Sequence, residues 1–568
     1  MQTSTSVQEP RRWRRWLRAG IWSAAVATTV IAAATLWVMA TCFAAPPELT
    51  QQPAILSAEV TTTPDGRRHL GQSWFLQRAG RSTLDLRGDP FTIGFANAKL
   101  TAGLLAEQER ALIETVETFL PNPVALYGAA LMVLIHNRNL PEYVKDEYKL
   151  EIFGLSHMDG DDPYSQFGSR YHRILNYHAA HDISHWVLDT PAIGCTSFAA
   201  VGERTAGGHL LTGRNFDWES GDHFDVNKVI ARFRPEQGRA FLSVSWPGMA
   251  GAVTGINDAR IYCSINGAHT EHMGLGVGCP VSLVVREVLQ YAVDLDSAIQ
   301  IIQRSDVFVA DSFLLADGKT GDAVVVEKTP AASATRRLHN GLLLQANHFE
   351  SPSLSPDRGN LRYMRDGTSM ARRRRLAELL TRHSGQLDPQ RTAEILRDRL
   401  GVGDVDRGLG HRATINPMIA THSVIADVTQ GVLWVSRGRH QLGAFDAYSI
   451  EEFGGGAGPT IPPDAALLRE YQDLSRFRQL ISELERRLSA GEELGAQGAQ
   501  ELREAEALNP LSPEVARLRG DFARRAGDLR TALDAYLAAI DARPAFRSDR
   551  EDLSRRVRDL RKRLETQQ

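Results

Sequence analysis

The sequence has little cysteine. Four residues (Cys42, Cys195, Cys263 and Cys279) stand in a chain of 568, too few for a disulfide scaffold. No two have Cys-x-x-Cys spacing, which excludes the usual zinc and dithiol redox motifs. Excess charge is also lacking. The formal net charge is -3, so bulk attraction to nucleic acid is not implied. The acidic loop at Asp159, Asp161 and Asp162 lacks the spacing and terminal Glu of an EF-hand and reads as a solvated turn. No His-Glu-x-x-His occurs. His178, His181 and His185 would share one helix face, but without a carboxylate placed to complete a metalloprotease-type site. A structural or pocket-lining role suits them; a metal hydrolase built on them is the competing reading.

Hydrophobic content of 43% and charged content of 23% are ordinary for a globular protein of two to four domains. One charge-free run stands out. Residues 19–45 follow a basic segment, 1–18, that holds Arg11, Arg12, Arg14, Arg15 and Arg18. A bilayer span needs about 20 apolar residues, and basic flanks stay cytoplasmic. Residues 19–45 therefore read as a transmembrane anchor or a signal sequence, and everything beyond as exported.

Residues 46–194 form an N-terminal segment that begins Pro/Thr/Gln-rich and continues into helices near 104–119 and 122–138. Residues 195–453 change to short β-branched and aromatic strands separated by turns, interrupted by helices near 280–303 and 369–400. This is an α+β pattern in which helices cover a pair of sheets. Residues 454–463 are a Gly/Pro linker. Residues 464–568 are almost all helix formers, and Gly520, Gly527, Ala532, Tyr536, Ala539 and Pro544 fall at the offsets of one tetratricopeptide-type hairpin. A single repeat cannot bury its own face, so the tail either packs on its own chain or meets a protein partner.

The chemistry concentrates at Gly194-Cys195-Thr196-Ser197-Phe198, followed by Arg214-Asn215-Phe216-Asp217. Cleavage of the peptide bond before Cys195 by its own thiol would give one residue both a thiol and an α-amine. That amine titrates near pH 8 and suits a general base for the thiol. Arg214 supplies a cation for the thiolate and Asp217 a carboxylate to orient the amine.

These stretches resemble the Cys-type N-terminal-nucleophile hydrolases, in particular the peptidase C45 group that includes acyl-coenzyme A:6-aminopenicillanic-acid acyltransferase. Choloylglycine hydrolases and acid ceramidase are more distant. Gly255-Ile256-Asn257-Asp258 with Asn266-Gly267, the segment from Pro280 to Leu289, and Ala346-Asn347-His348-Phe349 are similar to further motifs of the group. Arg260 departs from it, standing where Gly is usual. The resemblance implies an αββα sandwich of two antiparallel sheets and autocleavage between Gly194 and Cys195, with the earlier residues kept as a smaller associated chain. It implies attack by Cys195 on a linear amide or thioester of an N-acyl small molecule, with Arg214 and Asp217 in support. Asn257 and Asn347 are the candidate oxyanion donors. No cofactor, metal or nucleic acid is called for. A catalytically silent scaffold, tethered at the membrane and recruiting a partner through its tail, is the alternative from another class. Cys263 and Cys279 read as core residues or, in an exported protein, a disulfide pair.

Overall fold

Short strands rich in Val, Ile, Phe and Thr pair into two sheets, as β-branched and aromatic residues favour. The computed structural model describes residues 10–120, 122–187, 194–218, 223–274, 276–454 and 456–567. Among these residues the larger sheet has eleven strands in chain order, from Thr61–Thr62 to Ser333–Arg337. The smaller has six, ordered Leu342–Gln345, Thr196–Gly202, Gly208–Asp217, Ala420–Asp427, Val432–Ser436 and Phe445–Tyr448.

The smaller sheet is antiparallel throughout. The larger one corrects the expectation of two wholly antiparallel sheets. Arg81–Gly88 lies parallel to Val229–Pro235, with Thr83 opposite Ile230. A parallel pair needs a long crossover, and the chain between these strands supplies one that carries helices and the hairpin bearing Cys195.

Apolar side chains from both sheets meet between them, including Ala199, Val424 and Leu433 from the smaller and Ile230, Leu242 and Leu314 from the larger. On its outer side the larger sheet is covered by helices that include Pro90–Leu100, Asp146–Leu155 and Val281–Tyr291. Ser369–Arg382 and Pro389–Leu396 cover the smaller sheet. The order is helix, sheet, sheet, helix. Residues before Cys195 are built into this body: the first four strands extend the larger sheet, and Pro90–Leu100 crosses Asp146–Leu155 at Gly94 and Gly154. A Cβ on Gly94 would lie 1.8 Å from the Glu151 carbonyl oxygen, so no larger residue fits there.

The helix Pro10–Thr41 contains the stretch Ile21–Thr41, long and apolar enough to cross a membrane, with mean hydropathy 1.8 and none of it buried. It is compatible with an anchor or a signal sequence. Phe43 beyond it stacks near His172, whose Nδ1 accepts the Ala44 N–H at 3.1 Å. The charge-free helix Pro123–His136 buries none of its residues.

Five helices, from Ala465–Ala490 to Arg547–Gln567, make up the C-terminal region. Pro513–Arg525 and Leu529–Asp541 form a hairpin closed by Gly520 against the Tyr536 ring. The region packs on its own chain: Met418 and Leu409 of the body join Leu467, Leu474 and Phe477 in one core.

All four cysteines carry free thiols, which corrects the disulfide alternative for Cys263 and Cys279. Cys263 is buried in a strand of the larger sheet, and the Cys279 Sγ turns to the Pro280 carbonyl at 3.7 Å.

Candidate active site

Cys195 stands at the start of the strand Thr196–Gly202, against the end of Gly208–Asp217. The register pairs Thr196 with Asn215 and Ser197 with Arg214, and the Gly194 N–H donates to the Asp217 carbonyl at 3.0 Å. The hairpin therefore brings Gly194, Cys195, Arg214 and Asp217 to one place. The Cys195 Sγ lies 4.0 Å from the Asp217 main-chain oxygen. The side chains of Cys195, Arg214 and Asp217 are fully buried.

Arg214 points from the smaller sheet across the gap to the larger one. It donates to the Val253 carbonyl at 2.9 Å, to the Thr254 hydroxyl and to the Ile265 carbonyl. Its guanidinium sits 4.5 Å from the centre of the Phe216 ring. Burial lowers the Arg214 pKa; it pushes the Cys195 thiol up, opposed by the charge of Arg214. Asn215 faces the other way and donates to the carbonyls of Leu396 at 2.9 Å and Ile415 at 3.1 Å.

Asn347 is brought to this neighbourhood by the strand Leu342–Gln345, which pairs with Thr196–Gly202 with Gln345 opposite Ser197, and it is tied to Cys195 by Arg372. The Arg372 guanidinium donates to the Cys195 main-chain carbonyl, to the Thr196 hydroxyl at 2.9 Å and to Asn347 Oδ1 at 2.7 Å. One amide hydrogen of Asn347 goes to the Gly267 carbonyl at 2.9 Å. Asn266 bridges the sheets beside it, accepting from the Ser197 hydroxyl at 3.2 Å and donating to the Ala346 carbonyl at 3.2 Å.

Asn257 is not brought to the site. Its Oδ1 accepts the N–H groups of Ala259 at 3.0 Å and Ile261 at 2.9 Å, and its Nδ2 donates to the Ala292 carbonyl at 2.8 Å. These bonds shape the turn into Ile261–Gly267, as Asn side chains commonly do. Arg260, where glycine was expected, takes φ 68° in that turn and is held by a 2.8 Å bond from its guanidinium to the Thr429 carbonyl.

Sequence reading missed Arg372. It lies in the run Arg372-Arg373-Arg374-Arg375, which composition alone assigns to a solvated face. Arg372 and Arg375 are fully buried, and they share a face with Leu376 and Leu379. Their spacing of three, in register with the leucines, was the available signal.

Among the described residues the histidines form no metal centre. His178 Nδ1 bonds the Ile174 carbonyl at 2.7 Å and its Nε2 accepts the Ala250 N–H at 2.8 Å, so both ring nitrogens are engaged. Burial brings its pKa down to about 4. His181 is buried beside Phe216, with ring centres 6.4 Å apart. The side chain of His185 lies outside the described residues.

Next to Phe216 is an apolar cavity of about 100 Å³. Leu105, Leu112 and Ile174 of the N-terminal segment line it with Phe216, Trp218 and Trp246. The strand end at Cys195, the buried Arg214 and Arg372, and an apolar hollow thus lie together, and the half-buried Arg412 also reaches the site. A Cβ built on Gly194 would lie 3.6 Å from the Arg412 Nη2 and 3.5 Å from the Asp217 Oδ2.

Residues 204–408 match the family described as acyl-coenzyme A:6-aminopenicillanic acid acyl-transferase. That stretch is a domain of this family. It contains Arg214, Asp217, Asn257, Asn347 and Arg372, and starts just after Cys195. A protein of Archaeoglobus fulgidus described as uncharacterized is 24% identical over 253 residues, 42% of this chain and 42% of its own. The match thus spans about two fifths of that relative's length. Among solved structures, an N-acylethanolamine-hydrolyzing acid amidase ortholog of Caenorhabditis elegans aligns at 16% identity and TM-score 0.30, over 41% of this chain and 93% of its own. A mutant conjugated bile acid hydrolase from Clostridium perfringens aligns at 14% and 0.32, over 48% and 96%. Penicillin V acylase from Agrobacterium tumefaciens aligns at 11% and 0.28, over 43% and 83%.

Proposed function

We propose that this protein is an autoprocessing N-terminal-nucleophile amidohydrolase or acyltransferase that acts on a linear amide, or a thioester, of an N-acyl small molecule. The carrying observation is the hairpin that sets Gly194 and Cys195 against Arg214 and Asp217 within one buried cluster. The family domain that contains Arg214 and Asp217 supports the same chemistry.

In the proposed cycle, cleavage frees the α-amine of Cys195. That amine takes the thiol proton as Sγ attacks the acyl carbonyl, and later gives it to the leaving amine. Arg214 favours the thiolate and Asp217 holds the amine. The second amide hydrogen of Asn347 is the donor for the oxyanion, a contribution of about 3 kcal/mol in comparable sites. Water or a second amine then resolves the acyl-cysteine. The apolar cavity beside Phe216 suits the acyl group. The exposed apolar helix at Ile21–Thr41 suits tethering or export, with the body beyond the membrane.

Intact mass of the full chain tests the reading. Two fragments, the larger beginning at Cys195, with turnover of an N-acyl amide panel, are expected. One uncut chain without amidase activity would favour a scaffold instead.

A further inference from the structure

The C-terminal helices lie outside the residues matched to the family, yet their contacts lead to the scissile peptide. The link is the loop 405–418. Asn509, almost fully buried at the end of Gly495–Leu508, reads the backbone of Leu409 twice: its Oδ1 accepts the N–H and its Nδ2 donates to the carbonyl, both at 3.1 Å. His411 Nε2 donates to the Arg543 carbonyl at 3.2 Å, and its Nδ1 accepts the Ala413 N–H at 3.2 Å, which fixes the ring on both sides. Gly408 and Gly410 have φ of 83° and 70° and press on Asn509 and Leu474, approaches that a side chain would block. At its other end the loop is held by Asn215, through the Ile415 carbonyl. Between these clamps stands Arg412, with its Nη2 3.6 Å from where a Cβ on Gly194 would stand.

We propose that the C-terminal helices hold Arg412 at the Gly194–Cys195 peptide and so set the rate at which that bond is cut. The inference rests on the reading of Cys195 as a self-cleaving nucleophile. In the cut, Sγ attacks the Gly194 carbonyl carbon and a C–S bond forms. The C–N bond to Cys195 breaks, and the thiol proton passes to the departing nitrogen. Water then hydrolyses the thioester, returning the thiol and leaving a carboxylate on Gly194. Negative charge grows on the Gly194 oxygen in both steps and remains in the product. Arg412, whose Nη2 lies on the Gly194 side of the bond, stabilises it, and Arg372 donates to the Cys195 carbonyl on the other side. Asn509 and His411 are positioning residues: they act through the loop and touch no reacting atom.

The test is the rate of fragment appearance after cell-free synthesis of the full-length chain in detergent, followed by intact mass. Arg412→Ala should slow cleavage by about tenfold or more, and Arg412→Lys should recover part of the rate. Asn509→Ala should slow it several-fold. The double variant should be no slower than Arg412→Ala alone, because both changes act on one contact. His411→Ala gives up the Arg543 contact and replaces Asn509→Ala if that variant does not fold, as judged by thermal melting. Wild-type cleavage rates in Arg412→Ala, or additive losses in the double variant, overturn the inference while leaving the self-cleavage reading intact. A wild-type chain that stays whole removes that reading, and this inference with it.

Discussion

The Arg372 guanidinium donates to the main-chain carbonyl of Cys195 and, at 2.7 Å, to Asn347 Oδ1. One fully buried side chain thus ties the backbone of Cys195, the candidate nucleophile, to the candidate oxyanion donor. Burial lowers the Arg372 pKa, and the nearby Asp217 charge works against that shift. Lysine keeps the charge but not the planar fork. Arg372→Lys is expected to lower kcat/KM by about tenfold or more, and Arg372→Met to destabilise the fold by about 3 kcal/mol by leaving buried acceptors unpaired. Steady-state kinetics and denaturant melts check both; unchanged values for either variant would remove Arg372 from the site.

Cys195→Ala should yield one uncut chain with no amide turnover. The fold should survive, because the residue is small and the strand register does not depend on the thiol. Turnover by the uncut variant would sink the nucleophile assignment, and chelator-sensitive turnover would transfer it to a metal.

Asn257 separates a structural role from a catalytic one. Its side chain makes three hydrogen bonds to main-chain groups in a buried turn. Asn257→Ala should cost about 3 kcal/mol of stability, at roughly 1 kcal/mol per bond. The protein that remains folded should keep its kcat. A kcat loss of a hundredfold at full stability would restore Asn257 as an oxyanion donor.

The contrast between Asn257 and Arg372 shows what was legible in the sequence and what was not. Cys195, Arg214 and Asp217 lie on a single hairpin, so their spacing along the chain already encodes their proximity. Asn347 is remote in sequence; the strand before it pairs with the strand after Cys195, Gln345 opposite Ser197, and Arg372, on a helix covering the smaller sheet, bonds both residues. Arginine runs normally face water, and only the packing of Leu376 and Leu379 turns Arg372 inward. The layered body was legible in the alternation of strands and helices. The parallel seam between Arg81–Gly88 and Val229–Pro235 was not, because a long crossover leaves no local signature. Nor was the reach of the tail, since the Asn509–Leu409 contact is a side chain reading a distant backbone.

Stability should depend on pH through Asp182. Its carboxyl is fully buried, accepts the Val281 N–H at 3.1 Å, and is pushed by burial up to about 8. An unfolded Asp titrates near 3.9. Between about pH 4 and pH 8 the folded state therefore binds more protons than the unfolded state, and stability falls as pH rises. Asp182→Asn keeps an acceptor for Val281 but cannot ionise. The variant should gain stability over wild type as pH is raised from 5 to 8, and the gain should shrink toward pH 4. Melting temperatures of both proteins across that range check the sign. The difference between them is the right quantity, because buried His178 pulls the other way: its pKa near 4 adds stability as pH rises toward 6.5.

Gln108 offers a test of the cavity beside Phe216. It is nearly fully buried at the wall of this largely apolar hollow, and neither its Nε2 nor its Oε1 makes a hydrogen bond among the described residues. An unpaired buried amide costs about 1–3 kcal/mol, so Gln108→Leu should stabilise the protein by roughly 1 kcal/mol. A ligand with a polar group opposite Gln108 would pair with its amide, and a site that hydrogen-bonds its ligand rejects one that lacks the partner. If the acyl chain of the substrate occupies this hollow, the leucine variant should favour plain alkyl amides over those with a hydroxyl or carbonyl on the acyl part. Wild type should show the reverse order. A paired comparison of kcat/KM on the two substrate sets decides it: an unchanged ratio would place the acyl group elsewhere, and lost stability in the leucine variant would mean that the amide has a partner within the protein.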